Sequence, residues 1–167
     1  FKNLLNDAYC RDISVKIRSH LEIKRKQGQY IGNYVSYGYR KCDDDKHKIE
    51  IDTYAANVVK DIFRMKLQGM SQDAIACKLN ENGILCPADY KKSEGSNYQT
   101  SFKIKDKSGW SSTTVRRILT NEIYIGNLVQ GKHTTPNHKV KKMYVKDESE
   151  WVRIEKNHEA IVSERDF

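Results

Sequence analysis

No two of the four cysteines, Cys10, Cys42, Cys77 and Cys86, form a C-x-x-C pair. That spacing argues against a zinc site built from thiolates within the chain. No apolar run approaches the length that spans a bilayer, and the start does not read as a secretory signal. With unpaired thiols, this points to a reducing cytosol and no membrane partner. The phosphate-cradling patterns G-x-x-x-x-G-K-[ST] and G-x-G-x-x-G are both missing. No serine or cysteine is matched with a histidine base by spacing, and no carboxylate pair stands out. A self-sufficient nucleotide-dependent, hydrolytic or metal-dependent catalyst is therefore not indicated. No catalytic residue, metal or cofactor is expected.

What the chain does carry is positive charge. Thirty Lys and Arg against 22 Asp and Glu leave a formal +8 over 167 residues. Such a balance points to a polyanionic partner, nucleic acid first; the plainer reading is a solvated basic surface. Hydrophobic residues are 38% of the chain and charged residues 31%, so a core is possible but not generous. Ten tyrosines are expected to supply much of its packing area. The length suits one domain, or one domain with an appendage. The chain starts inside a helical pattern without a Met, and ends on SERDF, which reads as the beginning of another helix. It is expected to be part of a longer protein.

Hydrophobic periodicity predicts a long helix over residues 2 to about 27, ended by Gly28. Leu5, Tyr9, Ile13, Ile17 and Leu21 form an apolar stripe, and Arg11, Arg18 and Arg25 step by seven on nearly the opposite face. Lys24, Arg25 and Lys26 crowd the last turn, where cations suit the helix dipole. Such a helix either has an ordinary solvated face or lies on phosphates with its arginines; its stripe needs a partner. Tyr37 to Lys41 and Lys48 to Ile51 are predicted strands of a hairpin, with the polar run CDDDKH as a solvated tip. Asp52 is the expected N-cap of a helix carrying Ala55, Val58, Val59, Ile62 and Phe63, and Gly69 stops it. Ser71 caps the next, with Ile75, Ala76 and Leu79 inward and Gly83 at its end. Residues 86–109 read as a long polar loop with a short strand near Phe102 to Ile104. Strands are expected at Ile123 to Gln130, Lys141 to Val145 and Trp151 to Ile154, and a helix from Ser163. His133 and His138 lack companions spaced to complete a metal site.

The stretch WSSTTVRRIL, from Trp110, predicts a further helix capped by Ser111 or Ser112 and running to about Thr120. Val115, Ile118 and Leu119 fall inward by the 3.6-residue period, leaving Thr113, Arg116 and Arg117 outward. Arginine can bind guanine with two parallel hydrogen bonds, while hydroxyls and helix-end amides suit phosphates. The plainer reading is a third core helix with a wet outer face.

Several segments together resemble one family. YGYR (37–40) precedes a hairpin. It is followed by AANVVKDIFRMKLQGMSQDAIACKLNENGI (55–84), WSSTTVRRILTNEIYIGNLVQGK (110–132) and WVRIEKNHEAIVSERDF (151–167). Their order and spacing resemble the recombinase domain of the large serine recombinases, the integrases, excisionases and transposases of phages and mobile elements. AYCRDISVKIRSHLEIKRKQGQYIG (8–32) is similar to the end of the helix that joins their catalytic domain to that domain. The resemblance implies residues 1–27 as the end of that linking helix, and 28–167 as a DNA-binding recombinase domain cut at the start of a following helix. The fold it implies is α+β: a long N-terminal linker helix, then a small mixed domain with a hairpin, a helix-turn-helix-like three-helix core and C-terminal β strands. The family's nucleophilic serine lies in a tyrosine-x-arginine-x-serine context that this sequence lacks, so no serine here inherits that role and the chain alone is expected to be inactive. Ser36 stands where family members often carry proline.

The resemblance further implies double-stranded DNA as partner, with a parent protein dimeric on DNA and tetrameric in synapsis, bacterial or phage-encoded and cytoplasmic. Arg18, Lys24, Arg25, Lys26 and the linker from Gly28 to Gly32 would follow the backbone and minor groove. The helical part would enter the major groove, where Ser112, Thr113, Thr114, Arg116 and Arg117 are the candidate contacts, with Lys132 beyond them. The helix over 71–82, offering Lys78, Asn80 and Glu81, is the competitor. Two other readings stay open: a stand-alone helix-turn-helix transcriptional regulator, and a basic RNA-binding module stacking bases on its tyrosines.

Overall fold

The computed structural model describes residues 2–96, 108–137, 139, 140 and 142–167, with the side chains of residues 2–4 left aside. The strand expected near Phe102 to Ile104 and the reading of His138 lie outside these residues. Helix α1 (Lys2–Lys26) opens the chain. It closes as the sequence predicts: Gly28 takes φ +73°, its N–H donates to the Arg25 carbonyl, and the Gln29 N–H reaches back to Lys24. The backbone angle favours glycine there, and a Cβ would meet Asn157 Nδ2 at 2.7 Å, pushing aside the side-chain end that donates to the Gly28 carbonyl.

Strands β1 (Tyr39–Lys41) and β2 (Ile49–Ile51) pair antiparallel, Tyr39 opposite Ile51. Asp52 then caps α2 (Thr53–Leu67) by accepting the Ala55 N–H at 3.2 Å, and Ser71 caps α3 (Gln72–Glu81) in the same manner. Helix α5 (Ser112–Leu119) packs on both. The three bury Val59, Ile62, Ile75, Leu79, Val115 and Ile118 almost completely. Each such side chain contributes roughly 1.5–3 kcal/mol on leaving water, so this helical trio holds most of the core. It matches the three-helix centre expected from the apolar periods.

Residues 86–109 are not all loop. Helix α4 (Pro87–Ser93) was invisible to periodicity because it buries no side chain fully. Proline at its first position fixes the starting φ, and Tyr90 anchors it: its hydroxyl donates to Asp52 Oδ2 at 2.9 Å, and its ring packs against Tyr37 and Tyr54. Tertiary contact, not local propensity, holds this turn.

The C-terminal third departs further. Ile123 to Gln130 is not one strand. Glu122–Ile125 form a 3-10 turn capped by Asn121, Gly126 reverses the chain at φ +88°, and only Leu128–Gln130 (β3) extend. The apolar run is buried as a turn rather than a strand. β3 pairs antiparallel with β6 (Val152–Ile154), and a second hairpin, β4 (His133–Thr134) with β5 (Tyr144–Val145), is inserted between them. Ser163 does cap, accepting the Asp166 N–H at 3.3 Å, but it starts a single turn instead of a helix. Among the described residues no helix is long and apolar enough to cross a membrane.

Tyrosines join the ends of the chain. Tyr124 is 1% exposed; its hydroxyl donates to the Tyr37 carbonyl at 2.9 Å, and its own carbonyl accepts from the Ile161 and Val162 N–H groups. The Tyr39 hydroxyl lies 2.8 Å from the Glu159 carbonyl and 3.1 Å from that of Ile123. Beside them, His158 sets its ring edge-on to Tyr39 and its Nε2 2.8 Å from the Ile123 carbonyl. A carbonyl only accepts, so Nε2 carries the proton. Nδ1 is buried with no partner. Protonating it would place an unpaired N–H in the core. Burial accordingly holds the His158 pKa below its ordinary 6.5, against the opposing pull of the Ile123 bond. The unfolded chain thus binds a proton the folded chain resists. His158's contribution to stability is intact above about pH 6.5 and is lost as pH falls toward the depressed folded pKa. Urea midpoints at pH 7.5 and 5.5 should show this loss, and His158→Gln should remove it; an equal fall in the variant contradicts the assignment.

Candidate nucleic-acid interface

Helix α5 is held rigidly from its N-terminal side. Trp110 is buried, and Asn80 on α3 grips its backbone from both directions: Asn80 Nδ2 donates to the Trp110 carbonyl at 3.0 Å, and the Trp110 N–H donates to Asn80 Oδ1 at 2.8 Å. The indole N–H donates to the Ile84 carbonyl at 2.9 Å, and its ring meets Tyr37 edge-on. Ser111, not Ser112, is the cap, accepting the Thr114 N–H at 3.2 Å.

With Val115 and Ile118 buried, Thr113, Arg116 and Arg117 fall on the exposed arc of α5. No described residue makes a hydrogen bond or ion pair with either guanidinium. Thr114 is half-buried, its hydroxyl 3.0 Å from Ser111 Oγ, and Ser112 is half-buried at the first helical position. The outward arc is thus narrower than the five residues named from sequence. On α3, Lys78 and Glu81 remain exposed, but both polar atoms of the Asn80 amide are engaged with Trp110.

The cations of α1 divide in two. Lys24 Nζ lies 3.1 Å from His47 Nε2, and His47 Nδ1 lies 3.1 Å from the Tyr30 carbonyl. This relay of contacts ties the helix end to the first hairpin. Arg25 is half-buried, pairs with Glu22 at 3.1 Å, and lays its stem along Gly131. Lys26 is exposed; so is Arg18, which donates to Ser14 Oγ at 2.8 Å. Lys132 holds its ammonium 4.7 Å from the Trp151 ring centre, a cation–π contact.

The arginine row, exposed at Arg11 and Arg18 and half-buried at Arg25, lies beside the β4–β5 hairpin. Arg18 and Arg25 line one wall of a cleft of about 620 Å³, whose other wall is the β4–β5 hairpin with His133, Met143 and Lys146. Arg11 and Arg18 line its continuation beside Lys139, which pairs with Asp7 at 2.7 Å. The apolar stripe is largely open too: Leu5 and Tyr9 are each 67% exposed and Ile17 is 54% exposed, while Ile13 and Leu21 are half-buried. In the segment GKHTTPNHK (131–139) the sequence singled out Lys132, but not its neighbours as a wall facing α1. The segment's cations, with those of KKMYVK, were the available signal, but their meeting with α1 depends on a register that no local pattern encodes.

A family model described as Recombinase matches residues 53–167, more than half of the chain. Two solved structures share the fold. One is a crystal structure of an LSR–DNA complex (LSR, large serine recombinase), at 17% identity and TM-score 0.52, covering 91% of this chain and 35% of that one. The other comes from work on the sequence requirements of the Listeria innocua prophage attP site, at 18% identity and TM-score 0.50, covering 89% of this chain and 46% of that one. The chain therefore spans less than half the length of the proteins it matches.

Asn80→Ala would strip the Trp110 N–H and carbonyl of their partners, costing about 1–3 kcal/mol. Urea unfolding should show a lower midpoint at unchanged slope. A midpoint equal to the parent's would mean that Asn80 does not hold α5 in place.

Proposed function

This chain belongs to the Recombinase family, and from that premise we propose that it binds double-stranded DNA sequence-specifically at a recombination site, as the DNA-binding part of a serine recombinase that performs strand exchange. The observation that carries the proposal is the outward arc of α5. Thr113, Arg116 and Arg117 stand exposed on a helix whose opposite face is buried, and among the described residues neither guanidinium has an acceptor. Two arginines with no hydrogen-bond or ion-pair partner among the described residues, on a short helix, suit the major groove, where guanine presents O6 and N7 side by side. The formal charge of +8 supplies the sequence-blind attraction to phosphate. That the fold neighbours include a protein solved with DNA supports the same reading.

In this reading residues 1–27 link to a catalytic domain, and residues 28–167 form the DNA-binding unit. Strand cleavage belongs to the remainder of the protein, as do dimerisation on DNA and tetramerisation in synapsis. A stand-alone regulator would use the same helix but read a palindromic operator through its own dimer.

Arg117→Ala should weaken binding to a preferred duplex by about 1–3 kcal/mol and relax preference at one base pair. Fluorescence anisotropy against a panel of single-base-pair variants measures both. A uniform loss across the whole panel would reassign Arg117 to a phosphate.

A further inference from the structure

The cleft between α1 and the β4–β5 hairpin has a composition that core packing does not explain. Arg18 and Arg25 approach from the helix, and Lys146 from the hairpin. Like charges facing across an open gap repel, so folding alone would not favour bringing them together. Compensation within the cleft is partial: Glu22 pairs with Arg25, and Lys146 reaches Glu150 at 3.4 Å on its far side. Among the described residues Arg18 has only a serine hydroxyl, and Arg25 Nε is buried with no acceptor. Ser19, Thr134 and Thr135 add hydroxyls, while Val15, Leu21 and Met143 give an apolar surface beside the cations.

Cations and hydroxyls beside an apolar wall match a sugar–phosphate unit, charged at the phosphate and apolar along the deoxyribose. The cleft also leads somewhere. A second cleft of about 400 Å³ shares Arg25 and His133 with it, passes Gly131 and Lys132, and ends at Ser36 and Asn121. Asn121 directly follows Thr120, the C-terminal cap of α5.

We propose that the α1–hairpin cleft is a backbone-binding site for one DNA strand, seating a phosphate between Arg18 and Lys146 and a sugar against Val15 and Met143. It lies apart from the α5 arc and, through the second cleft, leads toward it. The hairpin is thereby assigned as the second wall of a phosphate clamp, and Lys146 as a DNA contact. This inference rests on the DNA-binding reading above.

The test is duplex binding by the whole chain, followed by anisotropy between 50 and 300 mM salt. Arg18→Gln and Lys146→Gln should each weaken binding alike on every duplex. The doubly substituted chain should lower the magnitude of the log–log salt slope by about one, the release expected for one neutralised phosphate. Arg18→Lys should retain most of the slope, and Lys60→Gln, on an exposed face of α2, should leave it unchanged. Arg18 is exposed, so circular dichroism should report native folding in its variants. A parent chain that binds no duplex removes the DNA-binding reading and this site with it. A parent that binds, with an unchanged slope in the double variant, overturns the cleft alone.

Discussion

The hydrogen bonds of Tyr124 are the constraint on which the arrangement depends. Its hydroxyl reaches the Tyr37 carbonyl, and its carbonyl receives the N–H groups of Ile161 and Val162. Three segments far apart in sequence thus converge on one buried ring. The 3-10 turn that carries Tyr124 begins just after α5. Fixing the turn therefore fixes the C-terminal end of α5, while Asn80 and Trp110 fix the other. A helix of eight residues is too short to be stable alone. Its orientation comes from being pinned at both ends, and a pinned helix can offer two arginines at constant spacing.

The same logic applies to α1. Only its C-terminal end is tied in depth: Asn157 Nδ2 donates to the Gly28 carbonyl, and Gln130 Nε2 to that of Gln29. Further back, the hairpin touches the helix through an exposed ion pair, Asp7 with Lys139, of a type worth at most about 1 kcal/mol. The firmly held α5 and the loosely tethered α1–hairpin cleft are therefore different parts of one molecule. Under the proposed function, that division would suit finding DNA by charge and then recognising it by contact.

Legibility from sequence followed the strength of local signals. α1, α2, α3 and α5 were readable because each combines a 3.6-residue apolar period with a stop or cap: Gly28, Asp52, Ser71 and Ser111. α4 was not, because its anchor is one tyrosine reaching back to Asp52 and no apolar stripe marks it. The run from Ile123 to Gln130 misled because burial makes a 3-10 turn and a strand equally apolar, and Gly126 in its midst was the neglected punctuation. In the candidate site, the outward arc of α5 followed from periodicity. The engagement of Thr114 by Ser111, of Lys24 by His47 and of Asn80 by Trp110 required side-chain geometry. The facing of the arginine row by the hairpin is a long-range pairing, beyond any local pattern.

The central claim is that α5 reads base pairs. Selection from random duplex DNA with this chain, carried out at low and at high salt, tests it most directly. A defined motif that persists at high salt, and disappears when Arg116 and Arg117 are both replaced by alanine, is the predicted result. Enrichment of no motif, with binding that vanishes as salt rises, would contradict the claim and leave α5 a packed helix with a phosphate-facing edge.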